Sequence, residues 1–179
     1  TFLVMGEKCT RSCPFCSVAG GVPGALDPEE PRKVAEASKE LGLQHVVVTS
    51  VNRDDLADQG SHHFVECIHE LREQIPGVKV EVLTPDFRGD TDAIDRIIEA
   101  RPDVFNHNIE TVPSLYRKVR PGARYTRSLE LLERVAAHAE IDGRSKMWPK
   151  SGLMLGLGES EAEVESLLED LHRVGVKII

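Results

Sequence analysis

The run Phe2-Leu3-Val4-Met5 is separated only by Gly6-Glu7-Lys8 from Cys9-Thr10-Arg11-Ser12-Cys13-Pro14-Phe15-Cys16. A short apolar run of this kind reads as a strand, and the cysteine-rich segment after it as a loop at the strand's C-terminal end. Beyond the loop, Asp27, Pro28 and Glu30 supply a cap, an N1 proline and a capping-box acid for a helix running to about Leu41, with Gly42 as its stop. The same alternation then repeats. Strands are predicted at residues 2–5, 45–50, 78–84, 104–107, 151–156 and 175–179, rich in Val, Ile and Leu as strands buried on both faces should be. Helices are predicted between them: 61–74 with Phe64, Ile68, Leu71 and Ile75 on one stripe; 92–100 with Ile94, Ile97 and Ile98 inward; 127–140 with Leu129, Leu132 and Ala136. A last helix is capped by Ser160 and Glu163, with Val164, Leu167, Leu168, Leu171 and Val174 as its apolar face.

This β(αβ)5 order specifies an α/β fold with a parallel sheet and right-handed crossovers. Periodicity leaves two architectures open, a doubly wound sheet and a closed or partly closed barrel. In either, ligands bind at the C-terminal ends of the strands. The cysteine loop, Thr49–Asp55, Asn106–Glu110 and Gly156–Glu159 all fall there.

Composition narrows the function classes. The formal net charge of the 179 residues is -8, which argues against a broad nucleic-acid surface. No run of ~18 apolar residues suggests a membrane span, and no signal-peptide pattern is present. The N-terminal Thr1 and the strand-like Val176-Lys177-Ile178-Ile179 read as a single core domain, residues 1–179, trimmed at both ends. Three of the four cysteines crowd the first loop and Cys67 stands alone, a pattern that suits a metal site in a reducing cytosol better than a disulfide framework.

Thiolates at Cys9, Cys13 and Cys16, with three- and two-residue gaps, can wrap one 4Fe–4S cubane. Three ligands for four irons leave one iron open to the amino and carboxylate groups of S-adenosylmethionine (SAM). Zinc would need a fourth ligand, Cys67 or a distant His. Cys67 shares the apolar stripe of its helix and reads as core. Phe15 suits either shielding of the cluster and adenine or packing of the loop. Asn106, His107, Asn108 and Glu110 offer contacts to ribose hydroxyls or substrate, with a buried hydrogen-bonded core role as the competing reading. Arg120 suits either a fork on the SAM carboxylate or a solvent-exposed turn; Lys150 and Ser151 share that ambiguity. His62, His63, His69, His138 and His172 read as ordinary helix residues, and Trp148 as part of a loop.

Cys-x3-Cys-x2-Cys with an aromatic residue before the third Cys resembles the radical SAM signature. The flanking segments resemble the lipoyl synthase family: Gly6–Cys16, Thr49–Leu56, Glu81–Phe87, Asn106–Val112, Lys118–Ala123 and Lys150–Glu159. The resemblance implies a partial TIM-type (β/α)6 barrel with SAM inside it. It implies insertion of two sulfur atoms at C6 and C8 of a protein-bound octanoyl chain by two 5′-deoxyadenosyl radicals, with a second, auxiliary 4Fe–4S cluster as sulfur source. Thr49 and Ser50 would contact the methionyl amino group, Gly156 and Gly158 would lie beside adenine, and Arg53, Asp54 and Asp55 would support the site or line the substrate channel. The implied partners are an octanoylated lipoyl-carrier domain or glycine cleavage H protein and an electron donor such as flavodoxin or ferredoxin. The implied setting is the cytoplasm, or the mitochondrion or plastid of a eukaryote. The family's auxiliary-cluster ligands, three upstream cysteines and a serine near the C-terminus, have no counterpart in this chain. Alternatives are a biotin synthase relative, a methylthiotransferase and a non-catalytic metal-binding module.

Overall fold

The computed structural model describes residues 1–139 and 146–179. Strands β1 (Phe2–Val4), β4 (His45–Ser50), β5 (Lys79–Leu83), β6 (Val104–Asn106) and β7 (Trp148–Lys150) form one sheet, and β2 (Lys8–Cys9) with β3 (Ala19–Gly20) a second, two-residue ladder. The helices are α1 (Glu30–Glu40), α2 (Ser61–Gln74), α3 (Thr91–Glu99), α4 (Tyr116–Val119), α5 (Tyr125–Ala137) and α6 (Glu161–Arg173).

The sheet order β1-β4-β5-β6-β7 follows the chain and every pairing is parallel. A doubly wound sheet reverses direction at a switch point; this one never does. It is therefore wound as a barrel wall, and the fold is a partial TIM-type barrel. The two faces of the wall differ in chemistry. Val46, Val48, Val80, Val82 and Phe105 are fully or almost fully buried in the apolar core, where Phe64, Ile68, Leu71, Ile94 and Ile97 also pack. The register puts Leu3, Thr49, Leu83, Asn106 and Lys150 in one row, and three of these line an interior cavity.

Several predicted elements shift. The fifth strand is Trp148–Lys150, not 151–156, because Ser151 and Gly152 turn to meet the backbone after β6; within 151–156 only Leu153 bridges, to Glu110. Trp148 is thus a strand residue. The predicted sixth strand is reduced to one bridge, Lys150 to Ile178. The capping box predicted for α1 does not form. The N-cap is Glu29, Pro31 occupies the first turn, and the Glu30 carboxylate instead accepts from the Met5 N–H (2.8 Å) and contacts His63 Nε2 at 2.7 Å. His63 is, as expected, a residue of helix α2, and it is buried there against Glu30 of α1. Ser160 and Glu163 do form the expected capping box of α6, although Leu168 on that helix is exposed. In the predicted helix 127–140, Glu140 lies outside the described residues.

Candidate active site

The clustered cysteines lie at the end of β2 (Cys9) and in the loop from there to β3 (Cys13 and Cys16). The base of that loop is closed by the parallel pairing of Cys9 with Gly20, and the Gly21 N–H donates to the Cys9 carbonyl at 2.9 Å. A Cβ at position 20 would run into Ser12 Oγ, so any larger residue there would have to turn the Ser12 hydroxyl aside. Inside the loop the Cys16 N–H donates to the Cys13 carbonyl. Cys9 Sγ accepts from the backbone N–H of Arg11 (3.4 Å) and Asn52 (3.3 Å), and Cys16 Sγ from that of Val18 (3.4 Å).

Arg11 bolts this loop to the rest of the site. Its guanidinium forks onto Asp54 (2.7 and 2.8 Å) and also reaches Asp86 at 2.7 Å. Burial alone would push the Asp86 carboxyl up; the hydrogen bond and charge of Arg11 outweigh it and hold the group down at about 2. Thr10 donates to the Asn52 carbonyl and accepts from the Asp54 N–H. Arg53, also buried, pairs with Asp55 and donates to the carbonyls of Met5 and Gly24. Arg53, Asp54 and Asp55 thus hold loops together. Arg11 and Asp86 were not singled out from sequence, and an arginine between two cysteines in the loop was the available signal.

The three thiols face a cavity of about 250 Å³ at the C-terminal end of the sheet. Leu3, Phe15, Thr49, Ser50, Leu83, Thr84, Asn108, Glu110 and Arg120 also line it. Two wall hydroxyls, Ser50 Oγ and Thr84 Oγ1, are buried without a hydrogen-bond partner. Such groups are costly unless a ligand satisfies them. Thr49 Oγ1 is already committed to the Leu83 carbonyl at 3.1 Å.

Arg120 is buried rather than at a solvent-exposed turn. It donates to the Asn108 carbonyl and Tyr116 Oη, each at 2.8 Å, and stacks against the Tyr116 ring. Glu110 holds a left-handed backbone (φ 68°), an unfavourable setting for a residue with a Cβ. Its N–H donates to the Gly152 carbonyl and its own carbonyl accepts from Met154. Burial raises the Glu110 carboxyl, with Arg120 and a hydrogen bond from Asn108 acting against the rise. Burial likewise raises the Cys13 thiol, opposed by the charge of Arg120. Gly152, which the sequence did not single out, admits the Asn108 amide; a Cβ there would lie 2.8 Å from Asn108 Oδ1.

Four proposed cofactor contacts lie away from the cavity. His107 is fully buried, with Nδ1 at 2.9 Å from the Thr84 carbonyl and Nε2 at 2.9 Å from Ser128 Oγ. Burial, reinforced by Arg120, lowers it to about 4, so it is neutral. Asn106 is buried beside β5 and is not part of the cavity wall. Gly156 and Gly158 are exposed, with the Glu159 carboxylate folded back onto the N–H of Gly156 and Leu157. Lys150 pairs with buried Glu81 at 2.8 Å, and Ser151 Oγ joins the Ile109 N–H to the His107 carbonyl. Cys67 is fully buried on α2, where desolvation pushes its thiol up to about 12.

Among the described residues, no three His, Cys, Asp or Glu side chains are placed to hold a single metal ion. The three sulfurs instead line one wall of the cavity, two of them taking N–H···S bonds, beside a cationic arginine and unsatisfied hydroxyls. That donor set fits a multi-iron cluster with an organic ligand beside it. No described helix is long and apolar enough to cross a membrane.

The sequence model of the Radical SAM superfamily matches residues 3–171. Solved structures share the fold, among them these three. Methylornithine synthase PylB is 17% identical with a TM-score of 0.68, over 99% of this chain and 53% of that one. Streptococcus suis SuiB bound to S-adenosylmethionine is 13% identical at 0.72, over 98% and 38%. HydG, a maturase of the FeFe hydrogenase, is 16% identical at 0.70, over 96% and 38%. The chain thus spans between 38% and 53% of the length of these proteins.

Proposed function

This chain belongs to the Radical SAM superfamily, and on that footing we propose that it is the catalytic core of a lipoyl synthase, which replaces two C–H bonds of a protein-bound octanoyl chain by C–S bonds. The observation that carries the proposal is the convergence of the family-like segments. Cys9, Cys13, Phe15 and Cys16, with Thr49–Asn52, Leu83–Pro85, Asn108, Glu110 and Arg120, come from distant parts of the chain and border one cavity.

Cys9, Cys13 and Cys16 would hold the cluster. When bound together with SAM, that cluster would supply one-electron cleavage of the sulfonium and, through it, hydrogen abstraction from an unactivated carbon. The chain's own residues bind and orient. Ser50 and Thr84 offer unpaired hydroxyls to the cofactor's polar groups. Arg120, held by Tyr116 and the Asn108 carbonyl, presents a fixed cation for a carboxylate. Asn108 and Glu110 present a donor and an acceptor to hydroxyls or an amine. Leu3, Leu83 and Phe15 give the apolar wall that keeps water from the reacting carbon. The sulfur source, on this proposal, is an auxiliary cluster bound by residues outside this chain, and the acyl group arrives on a lysine of a lipoyl-carrier domain or H protein.

The test uses the complete protein, reconstituted anaerobically with iron and sulfide, then supplied with reductant, SAM and an octanoyl-lysine peptide. Mass spectrometry should show a product gaining two sulfur atoms. SAM cleavage without sulfur insertion would reject the lipoyl assignment in favour of another member, such as a biotin synthase relative or a methylthiotransferase. Zinc uptake without SAM turnover would reject catalysis altogether.

A further inference from the structure

Behind the cysteine loop lies a second, polar cleft of about 570 Å³, lined by Arg11, Arg88, Arg124, Arg127, Thr10 and Ser12 among others. Four guanidinium groups around one cleft is an unexpected concentration in a chain of net charge -8. Asp54 and Asp86 answer only part of it. Arg11 pairs with both and Arg127 reaches Asp86 at 3.1 Å. The side chains of Arg88 and Arg124 have no hydrogen-bond or ion-pair partner among the described residues.

Two local features run against ordinary stability and hold these cations in place. Arg88 has a left-handed backbone (φ 51°), fixed by its N–H donating to Asp86 Oδ1 at 3.2 Å. Strain of this kind at a non-glycine residue concentrates at functional sites. Arg124 is the N-cap of α5, where its side chain can accept no hydrogen bond from the helix N–H groups, and the first turn of that helix carries no acid. Arg124 and Arg127 therefore put positive charge at the positive end of a helix dipole, the wrong sign for stability. A bound oxyanion would answer both the excess arginines and the open helix end.

We infer that this cleft is a second binding site, separate from the cysteine-lined cavity, for a ligand group bearing about two negative charges: a phosphate or two neighbouring carboxylates. Arg11, shared between cleft and cavity, places that ligand against the cysteine loop. The inference stands on the cleft's own geometry and does not need the lipoyl assignment.

The tests are calorimetric titration of the full chain with inorganic pyrophosphate and fluorescence anisotropy of the full chain with a dye-labelled tetraglutamate peptide, both in reductant at low ionic strength. Arg88→Gln and Arg124→Gln should each weaken binding about tenfold, as loss of one charge-assisted hydrogen bond does, and added salt should weaken it further. Arg32→Gln on α1 is the control and should leave it unchanged. Binding of pyrophosphate alone identifies a phosphate-bearing small molecule; binding of the peptide identifies an acidic protein segment. Absence of saturable binding for both probes would overturn the inference. So would equal affinity of the Arg88→Gln/Arg124→Gln double variant and the parent, or a loss in Arg32→Gln matching theirs.

Discussion

Asp86→Asn isolates the charge that holds the cysteine loop in place. Asparagine keeps the size of the side chain and an oxygen for the Arg88 N–H, but removes the carboxylate that Arg11 and Arg127 share. Asp86 is fully buried and the Arg11 side chain is 7% exposed, so solvent screens the pair little. Asp86 falls from an ordinary 3.8 to about 2, which corresponds to roughly 2.5 kcal/mol of stability at neutral pH. Breaking a buried pair outright costs about 3–5 kcal/mol. Arg11 keeps Asp54, which places the expected loss toward the lower figure, about 2–3 kcal/mol. For a chain of this size that is a Tm lowered by roughly 5–10 °C. The sign with pH is fixed by the depressed pKa. The contribution is complete above the unfolded value near 4 and fades as pH falls toward the folded value near 2, so at pH 3 it is roughly halved. Urea unfolding of parent and variant, followed by circular dichroism at pH 7, 5, 4 and 3, measures both quantities. A variant as stable as the parent at pH 7, or a stability gap that stays constant from pH 5 to pH 3, would refute the argument.

Two further outcomes are expected. Cys9→Ala, Cys13→Ala and Cys16→Ala should each lose bound iron and the visible absorption of the reconstituted protein, whereas Cys67→Ala should keep both and lose about 1 kcal/mol of stability through packing; iron retained by Cys13→Ala but lost by Cys67→Ala would reverse the ligand assignment. Gly152→Ala should displace the Asn108 amide, whose Oδ1 would lie 2.8 Å from the new Cβ, and weaken SAM binding by about tenfold; unchanged affinity by calorimetry would remove Asn108 from the site.

The alternation of apolar runs and helical stripes was enough to read the parallel α/β class, because each strand had to be apolar on the helix-facing side. It could not choose between winding patterns, since strand order is a property of pairing that no single run carries. The fifth strand lies earlier than its composition suggests because Ser151-Gly152-Leu153-Met154, though strand-like, pairs only through one bridge at Glu110, while the Ser151 N–H goes to the Ile178 carbonyl. The α1 capping box failed because Glu30 has partners far off in sequence, Met5 and His63, which local spacing does not reveal. At the site, the cysteines, Ser50, Asn108 and Glu110 are legible as residue types at strand ends and Arg120 as an arginine before Pro121-Gly122, and all of them border the cavity. Arg11 and Asp86 were not, because each takes its meaning from the other across the chain. His107 has the polarity of a ligand contact but is spent on Thr84 and Ser128.

The small ladder of Cys9 with Gly20 has a consequence for how iron enters and leaves. In zinc-finger peptides the metal gathers the ligands and drives folding, so losing it unfolds the chain. Here backbone pairing and Arg11 gather the loop, and the entropy of closing it is met when the protein folds. Oxygen damage that strips the iron should therefore leave a folded shell with its thiols still grouped, ready to be refilled once they are reduced.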